Sequence, residues 1–189
     1  MKKLILSAAM IAGLGALASQ AAMAADGTIT FNGSISSVTC SVHGGTPGSA
    51  SGNFTVTLPT VAASAFASGV GTAAGAVPYN IYVGAAGESG CTNGTKVSVH
   101  YEPTSPRIDP TTGNLTLNTG TGVATGVQLQ LLNAGNKSVI NLASAPDSTQ
   151  VTVANNAATL PFYAQYVSTA ASVTAGTANS SVLYTIKYN

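Results

Sequence analysis

Along most of the chain apolar and polar residues alternate one by one. Val97, Val99 and Tyr101 are interleaved with Lys96, Ser98 and His100, Val127, Leu129 and Leu131 with Gln128 and Gln130, and Val151 and Val153 flank Thr152. A period of two sends one set of side chains to a core and the other to water, the pattern of strands in a half-buried sheet. Turn formers punctuate these runs: Gly44-Gly45-Thr46-Pro47-Gly48, Asn93-Gly94, Asp109-Pro110-Thr111-Thr112-Gly113 and Asn133-Ala134-Gly135-Asn136. Abundant Thr, Ser and Val with closely spaced turns predict an all-β sandwich. The one helical candidate is Ala-rich Val61 to Ala67, a single turn lying over the sandwich. No repeat of solenoid or propeller period is visible.

The two ends of this pattern stand out. In Gly27-Thr28-Ile29-Thr30-Phe31-Asn32-Gly33-Ser34-Ile35, the residues Ile29, Phe31 and Ile35 share a face with Gly27 and Gly33, and Thr28, Thr30, Asn32 and Ser34 take the other. At the C-terminus Val182, Tyr184, Ile186 and Tyr188 alternate with Leu183, Thr185 and Lys187. Both are strands that expect a partner. Taken alone, each also reads as an ordinary first or last strand of a closed sandwich.

Ahead of the first of these strands, Met1-Lys2-Lys3 is a cationic start, Leu4 to Leu17 is apolar, and Ala22-Met23-Ala24 is a small-x-small site. This is the form of a secretory signal peptide over residues 1–24. A membrane anchor is the alternative, disfavoured because it requires about 20 apolar residues. Residues 25–189 then form one domain, and no later stretch is apolar enough for membrane insertion by a helix. Only 6% of residues are charged, and without Lys2 and Lys3 the remainder carries one net negative charge. Nucleic-acid binding is therefore not expected, since no basic surface can neutralise a run of phosphates.

Export also changes the meaning of the two cysteines. Cys40 and Cys91 are an even pair in a secreted chain, which argues for one disulfide over free thiols. No metal site is expected, because His43 and His100 stand apart and no Cys-x-x-Cys or His-x-x-x-His spacing occurs. The carboxylates Asp26, Glu88, Glu102, Asp109 and Asp147 fall in turn-like or terminal contexts, and no Gly-x-Ser-x-Gly elbow occurs. Neither catalysis nor a cofactor is expected.

Several fragments, in this order, resemble the pilins of the chaperone-usher fimbrial family. They are Gly27 to Ile35 leading to Cys40; Thr111-Thr112-Gly113-Asn114-Leu115; Gly126-Val127-Gln128-Leu129-Gln130-Leu131-Leu132-Asn133; Leu160-Pro161-Phe162-Tyr163-Ala164-Gln165-Tyr166; Gly176; and the penultimate Tyr188. One departure is the Gly-rich insertion Gly84 to Gly90 ahead of Cys91, which leaves the pairing of strands near that cysteine open.

The resemblance implies an incomplete immunoglobulin-like β-sandwich, the pilin fold, completed by a donor strand from a neighbouring subunit. Residues 25–36 would be the N-terminal donor-strand extension, with Gly27, Ile29, Phe31, Gly33 and Ile35 facing the acceptor, and 37–189 the incomplete sandwich. It also implies a periplasmic chaperone that grips the C-terminal carboxylate and zips along the last strand, and an outer-membrane usher where subunits exchange. On this chain the elements concerned are Gly176, Val182, Tyr184, Ile186, Tyr188 and Asn189. The implied role is a structural subunit of a surface fimbria serving adhesion, in first place the major rod subunit and in second an adaptor or minor subunit. A different class, the closed secreted carbohydrate-binding β-sandwich, would share composition and disulfide. It fits less well, because there is no Trp and the tyrosines fall within strand patterns.

Overall fold

The computed structural model describes residues 30, 37–45 and 51–189. The expected signal peptide, residues 1–24, and the expected donor-strand residues Gly27, Ile29, Phe31, Gly33 and Ile35 lie outside the described residues. The compact unit that carries the fold runs from Ser36 to Asn189.

Among the described residues seven strands build two antiparallel sheets. The first places β1 (Val42–Gly44), β2 (Ala73–Gly84), β6 (Ala157–Ser168) and β4 (Val127–Asn133) in the order β1-β2-β6-β4. The second places β5 (Val151–Thr152), β3 (Lys96–Tyr101) and β7 (Tyr184–Tyr188) in the order β5-β3-β7. Alternate residues of both sheets meet in one core: Ile81 and Val83 of β2, Leu160, Phe162 and Ala164 of β6, Leu129 and Leu131 of β4, and Val97, Val99 and Tyr101 of β3. This is the sandwich that the period of two predicts. The expected turn over the sandwich is the short 3-10 helix Ala63–Phe66, which buries Phe66.

The expectation of a wet outer face fails on β4. Its outward residues Gln128 and Leu132 are buried along with the core residues of its other face. The neighbouring loops explain this, because Leu115 pairs with Leu129 and Val139 with Leu132 along the strand's edge. Gln128 is enclosed by the 109–114 loop: its amide donates to Asp109 Oδ2 at 2.6 Å, and its carbonyl accepts from Thr112 Oγ1 at 2.8 Å. Asp109 also accepts from the N–H of Thr111 and Thr112, and these bonds, led by that from Thr111, hold its carboxyl below the usual range. Buried amides are tolerated because each is satisfied.

Cys40 and Cys91 form the disulfide, closing a separation of 51 residues. The Gly-rich insertion folds back onto the cysteine. Gly84 donates to the Ser41 carbonyl, Thr39 donates to the Gly90 carbonyl, and the Glu88 carboxylate accepts from Ser41 N at 2.6 Å and Ser41 Oγ at 2.7 Å. Those bonds lower the Glu88 pKa. Gly84 has φ of 75°, and a Cβ there would stand 2.3 Å from Asn156 O and 2.6 Å from Cys91 Sγ, so only glycine fits. Replacing both cysteines by serine is expected to cost about 4 kcal/mol, from the entropy of the released loop. In a chain of this size that lowers the melting temperature by roughly 8–16 °C. A calorimetric melt of the double variant checks it, and an unchanged melting point would assign no stabilising role to the bridge.

Candidate functional site

The C-terminal strand is an edge. In the β3–β7 ladder Lys96 and Asn189 exchange both backbone hydrogen bonds, and Glu102 N donates to Leu183 O. With Ser98 opposite Lys187 and His100 opposite Thr185, the odd-numbered residues of this strand turn their N–H and C=O groups toward β3. The even-numbered residues Tyr184, Ile186 and Tyr188 turn theirs to the other side, where among the described residues β7 has no neighbouring strand. Their side chains point to the core and are half-buried, while Thr185 and Lys187 are exposed.

A second unpaired segment lies across from this edge. From Gly52 to Leu58 burial alternates, with Gly52, Phe54, Val56 and Leu58 turned inward and Asn53, Thr55 and Thr57 outward. It has the side-chain pattern of a strand, yet among the described residues the backbone groups from Phe54 to Pro59 make no hydrogen bond to another backbone group. Sequence analysis missed this segment. The signal was there, in the alternation Phe54-Thr55-Val56-Thr57-Leu58 stopped by Pro59.

Between these two walls the sandwich is open. A trough of about 820 Å³ runs between 52–58 and 178–184, floored by Tyr79, Ile81, Tyr101, Leu115, Leu129, Leu131 and Ala164. A second hollow of about 330 Å³ continues it toward Phe66, Val127 and the 173–179 segment. Leu58, Tyr166, Ala178 and Asn179 line both. One end is aromatic: Phe54 packs at 6.1 Å from Tyr79 and edge-on at 6.2 Å from Tyr184, and Tyr79 stacks on Phe162 at 5.3 Å. The Tyr79 and Tyr101 hydroxyls bond to each other at 2.9 Å, and burial raises the pKa of both well above the usual value. Apolar clefts edged by backbone groups that lack partners are the kind of surface that β-strand addition uses.

The fimbrial protein family model matches residues 29–189. The chain belongs to the fimbrial protein family. This fimbrial protein is 43% identical to the F17 fimbrial protein of Escherichia coli over 93% of its own length and 94% of the relative's. It is 42% identical to the major fimbrial subunit SMF-1 of Stenotrophomonas maltophilia, covering 92% of this chain and 99% of that one. Among solved structures it is similar to the Burkholderia pseudomallei antigen and type I fimbria protein, with TM-score 0.50, 30% identity, and 74% and 85% of the two chains covered. The P pilus rod subunit PapA has the same fold, with TM-score 0.53 at 18% identity over 79% of this chain and 99% of that one. The fold is thus the immunoglobulin-like sandwich of chaperone-usher pilus subunits, and the protein is a fimbrial subunit, a component of the cell-surface fimbria.

The residues singled out at the C-terminal end of this fimbrial subunit are distributed unevenly. Val182 and Tyr184 line the trough, whereas Ile186 and Tyr188 face the core beyond the end of the cavity. Val182 precedes the ladder, because Leu183 N donates to Ser105 Oγ, a side chain rather than a strand. Gly176 does not lie on the C-terminal strand with which it was grouped. It sits in the preceding connection beside the Val123–Thr177 bridge, and a Cβ there would come within 2.4 Å of Ala124 N. It lines the smaller hollow instead. Asn189 is paired through its backbone with Lys96 and is exposed.

The outer face of β7 is fixed by charge. Asp147 accepts from Lys187 Nζ at 2.6 Å and pairs with His100 Nδ1 at 2.5 Å, and these contacts, the lysine's first, lower its pKa. Glu102 accepts from Thr185 Oγ1 at 2.8 Å. Among the described residues no group of three or more His, Cys, Asp or Glu side chains could hold a metal ion.

Proposed function

We propose that this fimbrial subunit polymerises head to tail, residues 25–36 of a second copy entering the trough as the strand the sandwich lacks. The observation that carries the reading is the cleft between 53–58, where among the described residues Phe54 to Pro59 form no backbone ladder, and the outer edge of β7, whose other edge pairs with β3. An inserted strand gains backbone partners on both sides while its alternate side chains fill the floor. Ile29, Phe31 and Ile35 are suitable knobs, each worth about 1.5–3 kcal/mol when buried. Run antiparallel to 178–184, the strand sends Ile29 and Phe31 into the larger hollow. Gly33 then passes the junction at Leu58 and Ala178, and Ile35 enters the smaller one. Gly27 and Gly33 permit close backbone approach. Donor and acceptor occupy different parts of one subunit, so the contact does not close and a filament follows.

Before assembly an open trough is an aggregation hazard. A periplasmic chaperone that covers it, holding the Asn189 carboxylate and pairing along Tyr188, Ile186, Tyr184 and Val182, meets that need. An outer-membrane usher is the place of exchange, and cleavage after Ala24 precedes both. The major rod subunit is the favoured rank, in keeping with the relative named a major fimbrial subunit, and an adaptor or minor subunit ranks second. The role is assembly without catalysis. In support, Glu88, Glu102, Asp109 and Asp147 are each engaged in structural bonds rather than gathered at a cleft.

A synthetic peptide of residues 25–36 tests the reading directly. Titrated against the dilute purified subunit, it is expected to bind, to protect β7 amides from hydrogen exchange and to block polymer growth. A peptide with its even and odd positions interchanged should do none of these, and equal binding of the two would refute a face-specific acceptor.

A further inference from the structure

The trough ends before the strand edge does. The larger hollow stops at Gly52 and Tyr184, although the free backbone edge of β7 continues past Ile186 to Tyr188. At that point a bar crosses from one wall to the other, where the Tyr184 hydroxyl donates to the Gly52 carbonyl at 2.7 Å. Both residues line the hollow, and Phe54 packs edge-on against the tyrosine ring. The bond is local to this end. Gly52 and Tyr184 are 132 positions apart in sequence, and among the described residues the backbone from Phe54 to Pro59 makes no hydrogen bond to another backbone group.

We infer that Tyr184 is a latch on the trough, its hydroxyl occupying the Gly52 carbonyl that a strand inserted beside the 52–58 wall would need for its own N–H. The inference rests on the strand-insertion reading and adds to it a kinetic control. In the empty subunit the phenol takes the place of the missing strand's amide at one position and draws the two walls together. A strand that fills the hollow and goes on along Ile186 and Tyr188 must displace it. The exchange is nearly balanced in hydrogen bonds, since Gly52 O passes from a phenol to an amide. The phenol, pushed toward the mouth, bonds to water. The latch therefore slows entry more than it weakens the final complex, and it keeps the mouth narrow while no strand is present.

The test is the rate at which the fluorescent 25–36 peptide enters the dilute subunit, followed by stopped flow. Tyr184→Phe removes one hydrogen bond and keeps the ring, so entry is expected to quicken about 3- to 10-fold. Tyr82→Phe, on the outer face of β2 against His43, is the control and should leave the rate unchanged. Replacing Tyr184 by 3,5-difluorotyrosine, with the rates of both proteins read in mildly acidic buffer where its more acidic hydroxyl stays protonated and is the stronger donor, should slow entry, an opposite change in a side chain of nearly the same shape. If the wild-type subunit takes up the peptide but neither change at Tyr184 alters the rate, the latch is wrong and strand insertion stands. If the wild type takes up no peptide at all, the insertion reading falls and the latch with it.

Discussion

Moving residues 25–36 from the front of the chain to a position behind Asn189, through a short flexible linker, is expected to yield a monomer that melts about 10–35 °C above the native order. The size follows from the three knobs. Ile29, Phe31 and Ile35 at about 1.5–3 kcal/mol each give roughly 5–9 kcal/mol, and each kilocalorie shifts the melting point of a domain this size by about 2–4 °C. Further gain comes from the backbone groups of Tyr184, Ile186 and Tyr188 on one wall and of 54–58 on the other, which have no backbone partner among the described residues and acquire one. The native order cannot fill its own cleft by this route and should polymerise with rising concentration. Size-exclusion chromatography with calorimetry on both chains decides the matter. If both are monomers with the same melting point, the cleft is not an acceptor, and a closed binding module becomes the better account.

The comparison of the two orders also marks what the sequence could reveal. The inner face of β7 was legible because Val182, Tyr184, Ile186 and Tyr188 alternate strictly with polar or exposed neighbours, and a local period needs no partner to be read. The disulfide was legible from an even cysteine count, and the turn at Ala63–Phe66 from its composition. Whether a strand is paired on one side or on two is not a local property. The same alternation describes β7 with its free edge and β3 between two neighbours, so the open trough had to come from resemblance or from structure. Gln128 shows the converse error. Its polar side chain at an outward position predicts exposure, and it is buried because a loop 14 to 19 residues away supplies Asn114 and Asp109 to bond it. The grouping of Gly176 with the last strand comes from the resemblance, not from a local pattern. The backbone packing of Gly176 against Ala124 places it in the connection instead. The 53–58 wall carries a strand's alternation in Phe54, Val56 and Leu58 and so was legible as a strand, but its want of a backbone ladder among the described residues is visible only in the structure.

Phe31→Asp is expected to abolish self-assembly and to convert the subunit into a filament terminator. The change removes about 1.5–3 kcal/mol of burial and asks the trough to accept a carboxylate among Leu115, Leu129 and Leu131, where no cation is at hand. A total of at least about 4 kcal/mol weakens each junction about a thousandfold. The consequence is directional, because donor and acceptor are different parts of the molecule. The trough of the variant is untouched and still takes the extension of a wild-type neighbour, but its own extension can enter nothing. Alone, it stays monomeric by light scattering. Mixed into wild-type subunits, it should cap growing filaments at one end, their mean length in electron micrographs falling in inverse proportion to the mole fraction added. A variant that does not shorten wild-type filaments, though monomeric by itself, would mean that Phe31 is needed for folding rather than donation. A variant that elongates normally would take Phe31 out of the junction altogether. The two failures separate the donor's chemistry from the acceptor's, and the acceptor can be probed in the same samples by binding of the wild-type 25–36 peptide.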